Sequence, residues 1–123
     1  MKIMIVEDDE TMRDIYQQFL DNDYTYDFCQ DAFSALNQLM KDKYDLIITD
    51  LQMPYKTGSE MIEFIRDGLD NQDLPILVIS GFLDEETTRQ LKTFRHVKIL
   101  PKPVKKALLK ESIVKIMQEF KVS

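Results

Sequence analysis

Asp50 closes an apolar, largely β-branched run, Leu46-Ile47-Ile48-Thr49, and Met53-Pro54 and Gly58 follow it. A short continuous apolar run reads as a buried strand of a parallel sheet. The Asp50 carboxylate is therefore expected at the carboxyl edge of that sheet, where open α/β folds hold their ligands. Glu7 and Asp8 follow another apolar run, Ser80 a third, and Lys102 stands just beyond a fourth. If the first and third strands are neighbours, Glu7, Asp8 and Asp50 crowd together. Two carboxylates ~5 Å apart repel by roughly 3 kcal/mol at an effective dielectric of about 20. Such a cluster takes up a cation or protons. With only oxygen ligands and no His or Cys nearby, Mg²⁺ or Mn²⁺ suits the site and zinc does not. Lys102 adds one opposite charge and Ser80 a hydroxyl donor, a combination suited to a phosphoryl group. A carboxylate in that setting can attack phosphorus and carry an acyl phosphate. Asp50, central on the edge, is the expected nucleophile, with Glu7 and Asp8 as the metal cradle.

Each of these residues alone has a plainer explanation. Glu7-Asp8 could be a turn rich in helix-capping residues, Ser80-Gly81 a simple turn and Lys102 a solvated loop charge. Asp50 could cap a turn. Their arrival on one sheet edge from separate segments is what points to chemistry.

That arrival depends on elements legible in the rest of the chain. Lys2–Val6 reads as a strand, and Met12, Ile15, Phe19 and Leu20 give the helical period after an Asp9 cap, with Asn22-Asp23 ending the helix. Residues 24–29 read as an edge strand. Asp31 caps a second helix with Phe33, Leu36, Leu39 and Met40 on its apolar stripe, and residues 45–49 form the strand into Asp50. A third helix from Ser59 carries Met61, Ile62, Ile65 and Leu69, closed by Gly68 and residues 70–73. Residues 74–79 are the next buried strand, with Pro75 at its first position. Residues 84–94 form the weakest helix and residues 96–100 a last strand. The helix from Val104 carries Leu108, Leu109, Ile113, Ile116, Met117 and Phe120. The methionines at 12, 40, 61 and 117 are expected in the core. Five strands alternating with five helices imply an α/β fold, one doubly wound five-stranded parallel sheet with right-handed crossovers.

The 123 residues suit one domain, 1–123, with 44% apolar and 31% charged residues. No apolar run reaches a membrane span and no basic-then-apolar leader opens the chain, so a cytoplasmic setting without membrane contact is expected. The single Cys29 is expected to be a buried apolar residue and His96 an ordinary surface or half-buried one. The net charge of −6 is uneven: residues 1–88 hold six Lys/Arg against twenty Asp/Glu, and residues 89–123 hold ten against two. Because the positive charges interleave with a helical apolar pattern, the 89–121 face is expected to dock an acidic protein surface rather than nucleic acid.

Taken in order, Ile5-Val6-Glu7-Asp8-Asp9, Asp50-x-x-Met53-Pro54-x-x-x-Gly58, Val78-Ile79-Ser80-Gly81 and Lys102-Pro103 resemble the response-regulator receiver domains of two-component signalling. The resemblance covers essentially the whole chain. It implies a flavodoxin-like sheet with strand order 2-1-3-4-5. It implies that Asp50 takes a phosphoryl group from a histidine kinase or a histidine phosphotransfer protein. It also implies that Mg²⁺ is held by Asp8 directly, Glu7 through water, Asp50, and the Gln52 backbone carbonyl. Ser80 would read the phosphoryl oxygens, and Lys102 would pair with Asp50 and then with the phosphate. The Lys102–Pro103 bond would be cis. Charge arriving at Asp50 would draw in the Ser80 loop and reshape the surface of the fourth helix, fifth strand and fifth helix.

Three positions depart from the family's pattern: Ile99 where an aromatic is usual, Phe94-Arg95-His96 where a small pair is usual, and Pro101 before Lys102. The aromatic switch therefore cannot operate in its usual form. Gln52 and Phe82 lie where side chains can limit the water that hydrolyses an acyl phosphate. The leading expectation is a phosphorylation switch, not an enzyme, acting on a protein partner. The alternatives are a receiver-like module acting without phosphorylation and an aspartyl phosphatase. The second is disfavoured because Gln52 stands where such enzymes place a general acid.

Overall fold

The computed structural model describes residues 1–52, 58–69, 73–81 and 83–120. The expected Met53-Pro54 turn, the closure at residues 70–72, Phe82 and Lys121 fall outside the described residues. The elements alternate throughout: β1 (Lys2–Val6), α1 (Glu10–Leu20), β2 (Thr25–Cys29), α2 (Ala32–Lys41), β3 (Leu46–Thr49), α3 (Gly58–Gly68), β4 (Ile76–Ser80), α4 (Glu85–Lys92), β5 (Val97–Pro101) and α5 (Lys106–Glu119). The strands form one parallel sheet in the order β2-β1-β3-β4-β5. The expected fold is present, and β2 is an edge strand as its weak alternation implied.

Side chains alternate across the sheet and fill two cores. Met4, Val6, Ile47, Ile76 and Val78 point to the face covered by α2, α3 and Leu91 of α4. Ile3, Ile5, Leu46, Ile48, Leu77 and Ile79 point to the face covered by α1 and α5. Burial on both faces is why these strands read as unbroken apolar runs. The expected caps are present, with Asp9 accepting from Thr11 N–H at 2.9 Å and Asp31 from Ser34 N–H at 2.8 Å, and α4 has a further cap in Asp84, which accepts from Thr87 N–H at 2.6 Å.

Several expectations are corrected. Phe33 and Met40 of α2 are 52% and 65% exposed, because Ala32 and Ala35 share the buried face with Leu36 and Leu39. Leu108 points to solvent while Leu109, Ile113 and Ile116 carry the α5 core. In α1, Tyr16 and Leu20 are the buried pair, and Met12, Ile15 and Phe19 are only half-buried. Asp21, with φ 45°, ends α1 ahead of Asn22-Asp23. Val104 is buried but lies ahead of α5. Cys29 is buried, as expected, and burial pushes its thiol up to about 11.

One buried cation was not foreseen. Arg66 sits among the apolar residues of α3, and its guanidinium donates to the carbonyls of Leu74 (2.7 Å), Arg95 (2.7 Å) and His96 (3.4 Å). It ties the turn before β4 to the turn before β5. His96, with φ 57°, completes that turn by contacting the Asp73 carbonyl through Nδ1 at 2.9 Å and stacking on Phe120.

Gly58 is required by contact. A Cβ there would stand 2.5 Å from the Asp50 carbonyl oxygen and 2.9 Å from Leu51 Cα, both backbone atoms. Gly58→Ala is expected to lower stability by about 1–3 kcal/mol, read as a fall in the urea midpoint. A midpoint equal to wild type would show that the β3–α3 connection yields freely.

Candidate functional site

Register places the site. Val6 pairs with Thr49, so the next residues, Glu7 and Asp50, leave adjacent strands side by side. The ladder continues one step: Glu7 N–H donates to the Cys29 carbonyl at 2.9 Å and Asp50 N–H to the Val6 carbonyl at 3.3 Å. Ser80 pairs with Pro101 on β5, and Lys102 N–H donates to the Ser80 carbonyl at 2.9 Å. The Lys102 stem runs beside Gly81, and the Lys102–Pro103 bond is cis, as expected.

The ammonium of Lys102 reaches across to β3 and β1. Its Nζ lies 2.7 Å from Asp50 Oδ2 and 3.2 Å from Glu7 Oε1. The other oxygens are also engaged. Leu51 N–H donates to Asp50 Oδ1 at 2.6 Å, with Gln52 N–H at 3.4 Å, and Asp9 N–H donates to Glu7 Oε2 at 3.3 Å. The Glu7 side chain is 2% exposed and that of Asp50 11%. Desolvation raises the Glu7 pKa, and the adjacent Lys102 only partly offsets it. Burial alone would lower the Lys102 pKa, but the hydrogen bond to Asp50 and the charges of Glu7 and Asp50 together hold it above its ordinary value.

The structure thus brings Glu7, Asp50 and Lys102 into direct contact and sets Ser80, buried, at the adjoining strand end. Asp8 and Gln52 are exposed beside them. Among the described residues, no three acidic, His or Cys side chains converge closely enough to form a ready metal cage. The donor set still fits Mg²⁺, which keeps several waters and needs only one or two carboxylates. Two buried carboxylates share one ammonium, and Asp8 adds a further negative charge at the solvent side.

Two contributors were not legible beforehand. Arg13 donates from Nη1 to the Glu7 carbonyl at 3.0 Å and so fixes the turn carrying Glu7 and Asp8. It lies off the apolar stripe of α1, and nothing in its spacing distinguishes it from a solvated arginine. Tyr16 is buried under the site; burial and then the charges of Glu7 and Asp50 raise its pKa. Its fit to the α1 period, one turn after Met12, was the available signal.

The basic 89–121 face is more broken than its sequence implied. Lys102 belongs to the site, Arg95 pairs with Asp73, Lys98 with Glu119, Lys110 with Asp23 and Lys115 with Glu111. Arg89, Lys92, Lys105 and Lys106 make no ion pair among the described residues. Among those residues no helix is long and apolar enough to cross a membrane.

Comparison with known proteins agrees with this geometry. Residues 3–114 match the family described as response regulator receiver domain. The chain is 32% identical over 123 residues to the chemotaxis protein CheY-3 of Vibrio cholerae, covering 98% of this chain and 94% of that protein. It is 32% identical over 109 residues to the sensor histidine kinase TmoS of Ectopseudomonas mendocina, covering 89% of this chain but only 10% of the kinase. Among solved structures, a response regulator receiver protein from Pseudomonas putida superposes with a TM-score of 0.86 at 28% identity, covering 93% of this chain and 95% of that one.

The raised Glu7 pKa gives a signed expectation for the metal-free protein. A carboxyl whose folded pKa exceeds its unfolded value loses stability as pH rises from the unfolded value through the folded one. Glu7→Gln removes that loss. Under chelation it is expected to melt above wild type at pH 7, with the gap closing towards pH 4.5, the unperturbed value. A variant less stable than wild type at pH 7 would show that the Lys102 contact outweighs desolvation.

Proposed function

The chain belongs to the response-regulator receiver domains, and from that premise we propose that it is a phosphorylation-controlled switch with Asp50 as phosphoacceptor. The observation that carries this reading is the Lys102 ammonium 2.7 Å from Asp50 Oδ2, with Glu7 held against the same nitrogen. Receiver domains serve two-component phosphorelays and interact with histidine kinases and downstream effectors. Residues 1–123 are read as one such domain, working in the cytoplasm.

The donor is a phosphohistidine of a histidine kinase or histidine phosphotransfer protein. An Asp50 carboxylate oxygen forms the bond to phosphorus, the P–N bond breaks, and its electron pair leaves with the imidazole nitrogen. Glu7, Asp8, Asp50 and the Gln52 carbonyl would hold Mg²⁺, with Mn²⁺ as a substitute. When bound, the ion supplies charge neutralisation between the incoming phosphoryl oxygens and the carboxylates. Lys102 neutralises Asp50 beforehand and offers the same ammonium to the phosphoryl oxygens afterwards. Ser80, buried at the end of β4, donates its hydroxyl to another of those oxygens. Gln52 in place of a second acid leaves no general acid two residues from the nucleophile, which favours a signalling module over a phosphatase.

The partner side follows from charge. Lys105 and Lys106, without an ion pair among the described residues, and the basic end of α4 lie in the 89–121 face, which would meet an acidic downstream protein once Asp50 is phosphorylated. Ile99, half-buried on the α4 side of the core, supplies no aromatic ring to couple to Ser80, so the usual aromatic switch has no counterpart here.

Intact mass after incubation with Mg²⁺ and a small-molecule phosphodonor tests this directly. Wild type is expected to gain one labile phosphoryl group and Asp50→Asn none. A wild type that binds Mg²⁺ but gains no mass would support the module that acts without phosphorylation. An adduct on both proteins would move the acceptor to another carboxylate.

A further inference from the structure

The outer side of α3 carries a groove lined by Glu60, Glu63, Phe64, Asp67 and Gly68. Phe64 is 46% exposed, and its ring rests against Gly68, where a Cβ would meet three ring atoms at 3.5–3.6 Å. The helix one turn further on thus holds the aromatic ring at the surface. Glu63 and Asp67 flank it at i,i+4 spacing, both exposed, and neither makes an ion pair among the described residues. A second groove follows α4, with Asp84 and Glu85 at its amino-terminal end and Arg89 and Lys92 at its carboxyl-terminal end. These two cations stand one turn apart in the last turn of the helix and are likewise exposed and unpaired. Within one molecule the two sets do not meet: the cleft between α3 and α4 is lined by Glu63, Thr87 and Gln90, not by Arg89 or Lys92.

We propose that the α3 groove of one copy receives the Arg89–Lys92 end of α4 from a second copy. A guanidinium against the face of Phe64 gains a cation–π contact, and Glu63 and Asp67 complete the charge match. Because the two surfaces differ, the contact is heterologous and runs head to tail. It uses no residue of the phosphoryl site, but it occupies the basic end of α4 that the proposed output face also uses, so a copy bound in this way cannot offer that end to an acidic partner.

Sedimentation velocity of the full chain tests it. At about 0.01 M salt, where charges act over about 30 Å, wild-type mass is expected to rise with concentration, and at about 1 M salt to return to monomer. Two neutralised variants separate the faces: Glu63→Gln with Asp67→Asn, and Arg89→Gln with Lys92→Gln. All four positions are exposed, so the unfolding midpoints should match wild type. Each variant alone is expected to be monomeric, and their mixture to form dimers and nothing larger, because each retains one competent face. A wild type monomeric at low salt, or association surviving in either variant, overturns the proposal. If wild type stays monomeric while an oligo-arginine peptide binds it and not the Glu63→Gln/Asp67→Asn variant, the groove serves a foreign basic segment and self-association is overturned.

Discussion

The structure turns on one shared ammonium. Lys102 is the counter-ion of two carboxylates from two other strands, Asp50 at 2.7 Å and Glu7 at 3.2 Å, both nearly sealed from water. Without it, two negative charges would face each other in a medium of low effective dielectric, at a cost of several kcal/mol. With it, the trio still carries net negative charge, and burial, which Lys102 only partly offsets, holds the Glu7 pKa above its ordinary value. The site is stable enough to fold and short of one positive charge. That deficit is the physical invitation to a cation and to a group that can exploit it.

The sheet makes this meeting possible. The parallel order β2-β1-β3-β4-β5 sends every strand's carboxyl end to one edge, so Glu7, Asp50, Ser80 and Lys102 arrive together although they span most of the chain. Backbone hydrogen bonds hold three of these ends beyond the formal strands, through Glu7, Asp50 and Lys102. Gly58 lets α3 start against the Asp50 carbonyl. Arg13 pins the Glu7 carbonyl. These contacts fix the backbone that carries the charges.

Much of this was legible in the sequence, for identifiable reasons. Strands buried on both faces announce themselves as apolar runs, and the residues that end them fall on the carboxyl edge by geometry alone. Caps at Asp9 and Asp31 were readable because a short side chain competes for the first free N–H groups. Strand order was available only through family resemblance, since periodicity does not say which strands are neighbours. Side-chain direction failed at Phe33, Met40 and Leu108, where alanines or a neighbouring leucine could fill the buried face instead. Arg66 and Arg13 were unreadable because each acts on backbone carbonyls, and carbonyl positions are set by tertiary turns. The basic C-terminal third looked continuous in sequence, but pairing of Lys98, Lys110 and Lys115 with acids on α5 or before β2 leaves it in separate patches.

The most direct test of the charge deficit is a calorimetric Mg²⁺ titration of wild type, Lys102→Met and Asp50→Asn without any phosphodonor. One ion should bind wild type. Loss of the competing ammonium should tighten binding several-fold in Lys102→Met, and loss of a carboxylate charge should weaken it in Asp50→Asn. Equal affinity in all three proteins, or no binding to any, would contradict the account.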